Sequence, residues 1–126
     1  MPDIYVLDTG AATHLAEIAP CRAAGVAIVF ADSADYPAIA DVSDDFVYVR
    51  LENARAEEAD GYPADALARW AAACAGWARG ESPAGLPYAA PDRAPVRPRD
   101  TFVFAINGAK ERAPALALGL RRSLAV

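Results

Sequence analysis

An α/β domain built on a parallel sheet is predicted by three observations. Short apolar runs alternate with helical stretches, each run ends on a polar residue, and one run is apolar without interruption. Strands separated by helices form parallel sheets, and a strand buried on both faces reads as a continuous hydrophobic run. Such sheets carry their chemistry at the carboxyl ends of the strands. The ends predicted here are Asp32, Arg50, Asn107 and, less distinctly, Asp8.

The first unit is a short strand over residues 4–7 and a turn at Asp8-Thr9-Gly10. A helix over residues 14–24 follows, capped by Thr13 and stopped by Gly25. Pro20 conflicts with that helix, because an interior proline removes a backbone donor at a cost of about 3 kcal/mol; a later start near Pro20 is the alternative. The second strand, residues 25–31, is the uninterrupted run, and a short helical turn is expected over residues 37–41. The third strand, residues 46–51, is rich in β-branched and aromatic residues. After an acidic loop comes the strongest helix, with Pro63 at its start, Asp65 in its first turn and Gly80 as its stop. Leu67, Trp70, Cys74 and Trp77 form its apolar stripe. Residues 81–100 are a proline-rich connection, read as a stiff spacer over the outside or as a lid. A last strand over residues 101–106 leads through Asn107-Gly108 to a helix from Ala113, with Leu116, Leu120 and Leu124 buried.

The 126 residues fit one domain, residues 1–126. Its hydrophobic content of 55% and mean hydropathy of +0.11 suit a sheet covered on both faces and point to apolar surface for a partner. The net charge of −5 is unevenly spread: residues 1–65 carry −10 and residues 92–122 carry +4. An acidic chain without a basic stripe is not expected to bind nucleic acid. Two cysteines, Cys21 and Cys74, are too few for a disulfide framework or a zinc cluster. No run approaches the ~20 residues of a membrane span, and no signal peptide is visible. A cytoplasmic protein without membrane contact, metal or cofactor is the expectation.

Val6-Leu7-Asp8-Thr9-Gly10 is the string that carries the catalytic aspartate in pepsin-like and subtilisin-like proteases. The former are almost wholly β, and the latter need histidine and serine motifs that are lacking here, so the tripeptide does not carry a protease reading. His14 stands alone and makes no metal site. Glu57-Glu58-Asp60 reads as a solvated acidic loop. The strand ends remain. Asp32 is a candidate catalytic acid/base, and Arg50 offers a planar fork for carboxylate or phosphate. Asn107 can donate and accept, and Lys110 just beyond it adds a cation. Tyr48 lies two residues from Arg50 and shares its sheet face. A competing reading makes Asp32 a cap and pairs it structurally with Arg50.

Residues 25–37 (GVAIVFADSADYP), 45–51 (DFVYVRL), 61–67 (GYPADAL) with Trp70 and Trp77, and 102–115 (FVFAINGAKERAPA) resemble, in order and spacing, the carboxyl-terminal half of the YecE-like family, a domain of unknown function. The resemblance implies a (β/α)8 barrel about twice this length. Its mouth includes an Asp after one strand, Tyr-x-Arg on the next and an Asn at the final strand end, matching Asp32, Tyr48, Arg50 and Asn107. The family's first half is absent, residues 1–24 are a divergent start, and Ile4-Tyr-Val-Leu-Asp-Thr-Gly10 stands where members carry Glu-x-Arg-His.

The expected fold is therefore a partial barrel of about four βα units, with an open flavodoxin-like sheet as the alternative. Half a barrel leaves two unpaired edges and an exposed inner face, which predicts self-association. Two functions are expected from this start. One is a barrel fragment with no catalysis of its own. The other is a barrel enzyme acting on a small anionic or polyhydroxylated ligand, with Asp32 as acid/base, Arg50 and Lys110 holding the anion, and Tyr48 and Asn107 orienting it.

Overall fold

The computed structural model describes residues 4–5, 14–33, 38–106 and 109–124. Its elements are β1 (Ile4–Tyr5), α1 (His14–Ala24), β2 (Ala27–Asp32), β3 (Phe46–Leu51), α2 (Ala64–Arg79), β4 (Asp100–Ala105), a 3-10 turn (Lys110–Arg112) and α3 (Ala113–Leu124). The four strands form one sheet in the order β1-β2-β3-β4, and every neighbouring pair is parallel. This is an α/β fold with a sheet wound in one direction, as in a section of a barrel or an open sheet. The reversal of strand order that creates the switch point of a flavodoxin-like sheet does not occur among these strands.

Each strand's burial follows its surroundings. The β2 residues Ala27 to Ala31 are all buried, as an uninterrupted apolar run requires. In β3, Val47, Val49 and Leu51 are buried while Phe46, Tyr48 and Arg50 are half-buried. Period-two alternation thus separates a helix-facing side from an inner side. On the helix side, α2 presents Leu67, Cys74 and Trp77 to the core. Phe30 sits 5.5 Å from both the Trp70 and Trp77 rings. Leu116 and Leu120 of α3 complete the layer, whereas Leu124, expected in the buried face, is 45% exposed because α3 ends at the open edge of the sheet. Helix α2 stops at Gly80, whose φ of +93° is left-handed, and a Cβ there would collide with the Arg97 backbone.

One local expectation is corrected, and two of the alternatives fall. Helix α1 begins at His14 and runs through Pro20; Ile18, 1% exposed, packs with Ile28, Ile39 and Ala90 and offsets the lost backbone bond. Residues 38–43 form neither helix nor strand, so β2 reaches β3 without a helix over the described residues. That segment is fixed by side chains: Ser43 Oγ donates to the Val26 carbonyl and accepts from the Ile28 amide, and the Asp41 carboxylate accepts the Ala89 and Ala90 amides. The lid falls, and the proline-rich connection follows the spacer reading. It crosses the amino-terminal ends of the strands, where Arg97 pairs with Asp45 and Arg99 donates to the carbonyls of Asp44 and Pro95. It lies at the end opposite the strands' carboxyl ends.

Candidate functional site

The carboxyl ends of β2 and β3 lie side by side, with Ala31 opposite Arg50 and Asp32 opposite Leu51. That register decides what the rim looks like. Arg50 lies on the inner face with Tyr48 and Ala31, while Asp32 shares the helix-facing side with buried Leu51. Asp32 and Arg50 are thus neighbours at one rim that project to opposite sides of the sheet.

Asp32 is held in a closed network. Tyr62, just before α2, donates its hydroxyl to Asp32 Oδ2 at 2.6 Å, and Asn53 Nδ2 donates to Oδ1 at 3.1 Å. The Asn53 amide donates in turn to the Tyr62 oxygen at 3.0 Å, and the Glu52 amide donates to the Asp32 carbonyl at 2.9 Å. Burial, then the hydrogen bond to the Asp32 carboxylate, pushes the Tyr62 phenol far above its ordinary range. Tyr62 is therefore a fixed donor. The network ties the loop after β3 to the end of β2.

Arg50 has a different partner. Its Nε lies 3.3 Å from Glu52 Oε2, and the Glu52 side chain is 5% exposed. Nε itself is buried without a well-directed hydrogen bond, so the contact is an ion pair of opposite charges rather than a straight hydrogen bond. Below it the inner face is aromatic. Tyr48 stacks on Phe104 at 4.8 Å between centroids, and Phe46 meets Phe102 edge-on at 5.9 Å. Phe102 and Phe104 are 44% and 41% exposed.

Of the residues predicted from sequence, the structure brings Tyr48 and Arg50 onto one face and sets Asp32 beside them but turned away. Lys110 is exposed in the 3-10 turn. Asn107 and Asp8-Thr9-Gly10 lie outside the described residues. Glu52, Asn53, Tyr62 and Phe104 were not singled out as site residues. The alternation Tyr48-x-Arg50-x-Glu52 carried the signal for Glu52, and the Gly61-Tyr62-Pro63 string preceding the helix carried that for Tyr62.

Other features do not add to this site. Burial pushes the Cys74 thiol up to about 12, which leaves it protonated and unreactive. A cavity of about 540 Å³ lies on the outer face of α2 between Trp70, Arg79, Pro83 and Leu86, away from the rim. Among the described residues no cluster of three or more His, Cys, Asp or Glu side chains is placed to hold a metal ion. No helix among them is long and apolar enough to cross a membrane.

Comparison with known proteins gives one match. The family model described as "Protein of unknown function DUF72" covers residues 9–126, nearly the whole chain, in keeping with the YecE-like resemblance. No curated protein and no solved structure matches.

Proposed function

The chain belongs to the DUF72 family, and from that premise we propose that it is a binding module. It takes a small anionic or polyhydroxylated molecule at the carboxyl ends of β3 and β4 and performs no catalysis on its own. The observation that carries this reading is the inner face of those strands. A guanidinium stands at its upper end, and an exposed aromatic ring, Phe104, lies opposite it in register. A planar cation engages phosphate or carboxylate oxygens through two parallel hydrogen bonds, and an aromatic face accepts the apolar side of a sugar or polyol ring.

Binding rather than turnover is proposed because the acid/base candidate is engaged elsewhere. A general base must come within hydrogen-bond reach of the proton it takes, and both Asp32 carboxylate oxygens are hydrogen-bonded on the helix-facing side. Glu52, on the Arg50 side, is buried and paired.

The test is ligand-induced stabilisation of the full chain with inorganic phosphate, ribose 5-phosphate and glucose. Arg50→Lys keeps the charge beside Glu52 but loses the fork. The expected result is a concentration-dependent rise in Tm with ribose 5-phosphate in the native chain. In Arg50→Lys the apparent Kd should rise at least fivefold while the unliganded Tm is unchanged. Equal binding by the two proteins, or no binding of any probe at 10 mM, overturns the reading.

A further inference from the structure

A cavity of about 240 Å³ opens between β4 and α3, on the helix-facing side of the sheet. Thr101, Val103 and Ala105 form its floor, and Leu120, Arg121 and Leu124 stand along its wall. The β4 strand leads through the 3-10 turn into α3, so the helix returns along the strand. The start of β4 therefore lies beside the end of α3, and the polar members gather there. Thr101 and Arg121 occupy that end, whereas Ala105, Leu51 and Leu116 make the other end apolar.

Both groups at the polar end lack a partner among the described residues. Thr101 Oγ1 is buried without a hydrogen bond, although buried polar atoms normally have one. Arg122 reaches Asp60 at 3.7 Å, whereas its neighbour Arg121 forms no ion pair among the described residues. A hydroxyl and a guanidinium can both donate, and a single carboxylate accepts from both. Ordered water does not suit the rest of the cavity, because a buried water needs about two to four polar partners and the far end presents aliphatic side chains. At about 30 Å³ for a group the size of a water or a methylene, the volume takes about eight carbons.

We propose that this cavity binds an aliphatic monocarboxylate of about eight carbons. Its carboxylate sits between Arg121 and Thr101, and its chain runs past Val103 towards Leu116. A few polar groups that orient a ligand at the end of an apolar cleft are the usual build of a small-molecule site. This site is separate from the one at Arg50. Val103 lies opposite Val49 and Phe104 opposite Arg50, so strand alternation puts the two sites on opposite faces of the sheet. Phe104 keeps its exposure when the cavity is filled.

A methyl NMR titration of the intact chain with sodium octanoate tests it, beside hexanoate and octylammonium chloride. Octanoate is expected to shift the methyls of Val103, Leu116, Leu120 and Leu124 along one binding curve. Hexanoate, two methylenes shorter, should show a Kd raised at least about threefold. Octylammonium carries the same chain with the opposite charge and should also bind at least about threefold more weakly. Arg121→Gln is expected to raise the octanoate Kd by a similar factor with the unliganded Tm unchanged. Ala117→Phe fills the cavity from an exposed position and should abolish the shifts. Should either variant fold poorly, the chain-length and head-group series on the native chain decides. Arg50→Lys should leave the octanoate Kd unchanged, so failure at one site is distinguishable from failure at the other. No methyl shift at 20 mM octanoate overturns the proposal, as does equal binding of octylammonium or a loss of binding in Arg50→Lys. Methyl shifts that follow protein concentration instead of octanoate overturn it too, because the occupant is then a second copy.

Discussion

The two faces of one sheet differ sharply although the same strands supply both. On the helix-facing side Val47, Val49 and Leu51 are at most 6% exposed and pack against Trp77 and Leu116, each 1% exposed. On the inner side the intervening residues are Tyr48 and Arg50, and across from them Phe102 and Phe104 remain more than 40% exposed. The finished face supplies stability to the single chain. The inner face supplies polar and aromatic groups that are worth more when something covers them. The packed core and the exposed polar and aromatic groups are therefore divided between alternating positions of the same strands.

The comparison breaks most readily at Trp77. Truncating a fully buried indole should cost about 3–5 kcal/mol, so Trp77→Ala is expected to lower the urea midpoint drastically or prevent folding. Phe104→Ala should cost only about 1–2 kcal/mol, since the ring is 41% exposed. Equal losses at the two positions would mean that the inner face is already covered in the single chain.

The next largest effect lies at the ion pair. Arg50→Ala removes the cation beside the buried Glu52 carboxylate, and breaking a buried pair costs about 3–5 kcal/mol; partial exposure of Arg50 places the expectation at the lower end. Replacing both partners, Arg50→Met with Glu52→Gln, should recover most of that loss. Urea unfolding of the two single variants and the double variant measures the coupling, and a double variant no more stable than Arg50→Ala would assign Glu52 a separate role.

A smaller effect is expected at Tyr62→Phe, which deletes the donor to Asp32 and should cost about 1–2 kcal/mol. It also changes the alkaline limb of stability. A phenol whose folded pKa is raised contributes stability that is complete below its unfolded value near 10 and is lost as pH climbs above it. The native chain should therefore lose stability above about pH 10 more steeply than Tyr62→Phe, and parallel curves in urea melts from pH 8 to 11 would remove Tyr62 from that limb. The least effect is expected at Lys110→Ala. The side chain is exposed, and such surface substitutions usually change stability by under ~0.5 kcal/mol.

Much of the fold was legible because its signals are local. Residues 46–51 alternate, and Gly80 stops a helix marked by Leu67, Cys74 and Trp77; Pro20 pointed to a later helix start that the burial of Ile18 outweighs, and the helical turn expected over residues 37–41 is not formed at 38–41. The site was less legible. Tyr48 and Arg50 were found together because two residues along a strand fix a shared face. Asp32 was assigned to the same pocket because nothing in a sequence sets the register between strands.

The amino-acid sequence alone determined which residues form strands and helices, the uneven charge along the chain and the family to which it belongs. Each follows from neighbours along the chain or from the order of residues. Only the tertiary structure decided that Ala31, and not Asp32, lies across from Arg50, that Glu52 is the partner of that arginine, and that the proline-rich connection crosses the end remote from the rim. A one-residue shift of pairing turns every side chain of a strand to the other face, and that shift is set by packing between strands that are distant in sequence.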